Sequence, residues 1–131
     1  MTTPAIGGKV LDASALAALA RGRLSALTWL AVAETHGIVL LLPTLALTEV
    51  RALLPDTGPL LAELLEHPCV VLAELDASTG RAVETILEAA GTFDVLAGQV
   101  VHLAQQRGWP ALTDAPDRLR RLAPDLEIDL L

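Results

Sequence analysis

Apolar runs of strand length alternate with longer stretches whose apolar residues recur at helical spacing. Lys9-Val10-Leu11 runs into Asp12, and Ala13 to Ala20 reads as a helix that breaks at Arg21-Gly22-Arg23. Leu24 to Thr35 predicts a second helix, with Leu24, Leu27, Leu30 and Ala31 on one stripe and Gly37 as its left-handed cap. Ile38 to Leu42 is a continuous apolar strand buried on both faces, and Pro43 opens a helix to about Leu54. Pro55-Asp56-Thr57-Gly58-Pro59 is a turn, Leu60 to Glu66 a short helix and Cys69 to Leu72 a third strand. Asp76 caps a helix over Ala77 to Ala90, and another covers Phe93 to Arg107. Pro110 to Thr113 is a short strand, Pro116 to Leu122 a helical turn, and Leu126 to Leu130 alternates as an edge strand does.

Strands alternating with helices, without a hairpin signal, predict βαβ units: an α/β domain with a mostly parallel sheet covered on both faces. Right-handed crossovers bring the C-terminal ends of the strands to one edge. The 131 residues suit one domain, 1–131, with no internal linker. With 53% hydrophobic but only 2% aromatic residues, Ala, Leu and Val must build the core. The single Cys69 excludes an intrachain disulfide and a cysteine-based zinc site, and its apolar surroundings suit a small core residue. Pro43 breaks the longest apolar run, Ile38 to Leu47, which is about half the roughly 20 residues that a membrane span needs. The N-terminus lacks a basic leader pattern, so a cytoplasmic location is expected. The formal charge of −7 argues against broad nonspecific polyanion binding, but does not exclude a nucleic-acid enzyme whose acids are gathered to hold a cation.

That charge directs attention to particular acids. A strand ending in Asp12 sets a carboxylate at the sheet edge where open α/β folds bind ligands; Asp12 can equally cap the next helix. Leu75-Asp76-Ala77-Ser78 repeats Leu11-Asp12-Ala13-Ser14, so the tetrapeptide alone decides nothing. Glu49 interrupts a stripe between Leu45 and Leu53 and has no base three or four residues away. It is either at a solvated edge or compensated from a distance. Asp94 opens a helix whose small residues Ala97 and Gly98 allow close approach to the sheet, and Asp is also favoured there by the helix dipole. Asp114 follows the strand ending in Thr113 and shares the edge of Asp12, unless it only shapes the turn before Pro116. Three or four carboxylates in one pocket require a cation, and oxygen-only ligation favours Mg²⁺ or Mn²⁺. His36, His67 and His102 lack ligand spacing. Arg21 and Arg23, and Arg118, Arg120 and Arg121, form short basic groups that read as solvated helix ends or as RNA contacts.

The order strand-Asp12-Ala-Ser14, Thr48-Glu49-Val50, Phe93-Asp94-Val95-Leu96-Ala97 and Leu112-Thr113-Asp114 resembles the PIN domain. Length and layout are similar to the VapC-type toxin ribonucleases. The resemblance implies a three-layer α/β/α sandwich with a central sheet of about five strands. It also implies a Mg²⁺- or Mn²⁺-dependent endoribonuclease that hydrolyses RNA phosphodiesters, as the toxin of a type II toxin–antitoxin pair. By position, Asp12 and Asp94 would be the metal ligands, with Glu49 and Asp114 completing the catalytic acids. Ser14 and Thr113 would be supporting hydroxyls. An antitoxin partner and a homodimer are further implications. The family commonly carries Thr-x-Asp after the fourth strand, whereas this chain has Ala115 at that place and Asp114 and Asp117 beside it. That departure keeps an alternative open: a catalytically weak or inactive PIN-like module that binds RNA or a protein partner. A phospho-acceptor receiver domain fits poorly, because Asp12 stands alone after its strand and Lys9 is the only lysine.

Overall fold

The computed structural model describes residues 7–131; the leader region read from residues 1–6 lies outside them. Five parallel strands are ordered β3-β2-β1-β4-β5: β1 (Gly8–Leu11), β2 (Val39–Pro43), β3 (Val70–Ala73), β4 (Ala111–Thr113) and β5 (Ile128–Leu130). In the inner strands, consecutive residues such as Val10 and Leu11, or Leu40, Leu41 and Leu42, are all buried. Successive strand residues point to opposite faces, so helices must cover the sheet on both sides. This is the α/β sandwich expected from the alternating pattern, and it accords with a PIN-like fold.

The covering helices are α1 (Ala13–Ala20), α2 (Leu24–His36), α3 (Thr44–Leu53), α4 (Gly58–Leu64), α5 (Ala77–Ala90), α6 (Val95–Arg107) and α7 (Pro116–Arg120), with a 3-10 turn at Pro55–Thr57. Three local readings change. Pro43 ends β2 in an extended conformation (φ −60°, ψ 134°) and the helix starts one residue later, because Pro43 needs no N–H where the strand leaves the sheet. Asp94 caps α6 from outside and Phe93 is almost wholly exposed, so this helix begins two residues later than its pattern suggests. On α2 the buried positions are Ala26 and Ala33, while Leu24 and Leu27 face outward. Small side chains let that helix lie close to its neighbours.

β1 is central and pairs with both β2 and β4, so the residues following it lie between two helix-bearing crossovers. Leu11 is level with Leu112, which sets Asp12 beside Thr113 at the C-terminal edge. Gly98 of α6 serves a different neighbour from the one expected. A Cβ on Gly98 would lie 2.9 Å from Val83 Cγ1 and 3.1 Å from Leu87 Cδ2, so Gly98 admits α5 and not the sheet. Among the described residues, no single helix is long and apolar enough to cross a membrane.

Candidate functional site

Asp12 is the most buried carboxyl at the edge, 2% exposed, and its partners are all local to the β1 and β4 ends. Its Oδ1 accepts from the Ala15 amide (2.9 Å), which caps α1, and from Ser14 Oγ (2.7 Å). Thr113 Oγ1 donates to Oδ2, and Ser14 Oγ and Thr113 Oγ1 are themselves 3.1 Å apart. The Ser14 and Thr113 hydroxyls thus hold Asp12 in one orientation. Burial pushes the Asp12 carboxyl above its usual range, opposed by the bonds from Thr113, Ser14 and Ala15 and by the field of Arg118. Asp76 carries the same tetrapeptide, but it is an exposed cap bonded to the Thr79 amide at 2.7 Å, and that bond lowers its pKa.

Glu49 and Asp94 are joined by a residue whose role sequence reasoning missed. Arg118 Nη1 and Nη2 donate to Glu49 Oε2 and Oε1 at 2.8 and 2.9 Å. Its Nε and the same Nη2 donate to Asp94 Oδ2 and Oδ1 at 2.7 and 2.9 Å. One guanidinium thus forks onto two carboxylates from different helices, and the planar array of donors on Arg suits that geometry. The bond to Arg118 holds Asp94 below the usual carboxylate range, the Ala97 amide adding to it at 3.2 Å. Asp94, and then Glu49, hold the guanidinium firmly protonated. All three side chains are about 30% exposed, so the forks are only partly withdrawn from water. This answers the question raised by Glu49: its stripe is a half-buried edge, and the compensating charge comes from 69 positions away. The signal that could have found Arg118 is topological. It sits in the first turn after β4, on the edge that holds Asp12.

Asp114 stands apart. Its amide N–H reaches Ser14 Oγ at 2.8 Å, but its carboxylate pairs with Arg23 Nη1 at 2.7 Å in solvent. Ala115, at the position where the resembled family carries an acid, donates its amide to Thr113 Oγ1. His67 pairs with Glu34 on the connection entering β3, at the opposite end of that strand. Cys69 is half-buried and packs against the core. A cavity of about 260 Å³ opens beside the forks, lined by Ser14, Ala17, Arg21, Glu49, Leu53 and Arg118 among others.

A divalent metal does not fit the acids as they stand. Among the described residues no group of three or more Asp, Glu, His or Cys could hold an ion. Asp12 spends both oxygens on hydroxyls and an amide, and Arg118 takes both oxygens of Glu49 and of Asp94.

Neither a family model nor a curated protein sequence matches this chain. Its fold is similar to that in the crystal structure of VapBC2 from Rickettsia felis bound to a DNA fragment from their promoter. The TM-score is 0.69 and the identity 13%, over 95% of this chain and 98% of that one. At that identity the likeness establishes the architecture alone: an α/β sandwich similar to the one in that structure and consistent with a PIN-like fold.

Proposed function

We propose that the chain is the toxin of a toxin–antitoxin pair, a PIN-like endoribonuclease that hydrolyses RNA phosphodiesters with Mg²⁺ or Mn²⁺. The observation that carries this reading is the delivery of Asp12, Glu49 and Asp94 from a strand end, a helix middle and a helix start to the surroundings of one guanidinium. Glu49 and Asp94 already grip a cation, and Asp12 lies within its field. Similarity to VapBC2 supports the choice of a small antitoxin as partner; a homodimer is part of the same proposal. Arg118 in its observed place makes the resting chain a weak nuclease.

The test is incubation of purified protein with RNA and Mg²⁺, alongside Asp12→Asn and a chelator. Cleavage that both treatments abolish is expected. Cleavage indifferent to both would remove the nuclease reading. A second reading, an inactive PIN-like module binding RNA or a protein, draws on Ala115 and on the Arg118 forks, which neutralise two of the acids. RNA binding without cleavage at any Mg²⁺ or Mn²⁺ concentration would favour it.

A further inference from the structure

We infer that Arg118 is a built-in cation that occupies the acid cluster in place of a divalent metal, so that metal binds only when this side chain swings out. The inference rests on the reading of Asp12, Glu49 and Asp94 as the metal-facing acids. Four of the five guanidinium N–H groups are committed to carboxylate oxygens. The Glu49 and Asp94 oxygens so held are among those that a hard cation with oxygen ligands would need. The two occupants are therefore mutually exclusive.

Release requires only side-chain rotation. α7 is anchored by Leu119, which is fully buried. Its backbone can stay in place while Arg118, 30% exposed at the side chain, turns toward the adjoining cavity of about 260 Å³. Departure leaves Glu49 and Asp94 without that compensation. Carboxylates so placed either take up protons or take up a cation. An anionic group entering the cavity, such as a phosphodiester, would draw the guanidinium outward and free the acids in the same movement.

The experiment is calorimetric titration of Mn²⁺ into the wild-type chain, Arg118→Met and Arg120→Ala at neutral pH, with melting curves for each. Met keeps the apolar stem of the side chain and removes its charge. Arg118→Met is expected to bind Mn²⁺ roughly tenfold or more tightly than wild type, and Arg120→Ala to match wild type. Its melting temperature should rise with added Mn²⁺ more than that of wild type. Equal Mn²⁺ affinity in wild type and Arg118→Met, or no binding by either, overturns the inference. RNA cleavage separates it from the functional reading. Tighter Mn²⁺ binding by Arg118→Met without cleavage retains the latch and sinks the nuclease. Wild-type cleavage with unchanged affinity in Arg118→Met sinks the latch and retains the nuclease.

Discussion

Asp12 and Asp76 form an internal control, because one tetrapeptide appears twice in two environments. Replacing Asp76 by Ala removes an exposed cap and nothing else, so only a small loss of stability is expected. Asp12→Ala removes a cap of the same kind and also two hydroxyl bonds to a carboxylate, each worth about 1.5 kcal/mol. Thr113 Oγ1 keeps Ser14 Oγ and the Ala115 amide as partners, so it is not orphaned. Relief of the buried charge offsets part of the loss. The expected net cost is about 2–3 kcal/mol, or roughly 8–12 °C by circular dichroism at pH 7.

Asp12→Asn behaves differently. Asn caps as well as Asp, and it removes the charge that burial disfavours. The sign follows from linkage. A carboxyl raised above its unfolded value binds more protons in the folded state, so stability falls as pH rises through that window and is at its lowest once Asp12 is ionised. Asp12→Asn should therefore melt at or above wild type at pH 7, with the difference shrinking as pH falls toward 4. If Asp12→Ala melts together with Asp76→Ala, or if the Asn variant is the less stable at pH 7 and the gap widens in acid, the environment assigned to Asp12 is wrong.

Three further outcomes are expected. Gly98→Ala should destabilise by about 1 kcal/mol in a denaturant titration, because its Cβ would meet Val83 and Leu87. In Gly80→Ala the added Cβ meets open space within α5, and a gain of up to about 1 kcal/mol is expected. Asp94 sits below its usual range through Arg118, so it contributes stability that is present above about pH 4 and lost as pH falls through its folded value. Asp94→Asn should accordingly flatten the acid limb of a melting-temperature profile below pH 4. An unchanged limb would count against the fork.

Alternation of strand-length and helical patterns was enough to read the sheet, since each element follows from its own few residues. Boundaries shifted where a single group decides them: Pro43 at the end of β2, and Asp94 as a cap outside α6. On α2 the leucine stripe does not by itself mark the buried side, because close packing selects Ala26 and Ala33. At the site, Asp12 was legible from strand, acid and helix in succession, with Ser14 and Thr113 beside it. Glu49 was legible as an anomaly: an acid lacking a local partner. Its actual partner was not, because a pair separated by 69 positions leaves no local trace. Arg118 was hidden in a run with Arg120 and Arg121, where like charges on a short helix read as solvent-facing. Asp114 shares the expected edge, but topology fixes only where its backbone lies. Its pairing with Arg23 was settled by side-chain reach.

The chain order of this cluster has a consequence for biosynthesis. A ribosome releases Asp12, Glu49 and Asp94 before the residue that neutralises two of them, and Thr113, which lies 101 positions after Asp12, emerges only shortly before Arg118. Until β4 slots in beside β1, the central strand has one free flank and Asp12 has no threonine to bind. The edge that gathers the acids is thus completed late, by the same short segment that brings its counter-charge. A nascent chain stopped anywhere before that segment has no assembled cluster, and completion of the sheet and closing of the cluster are one event.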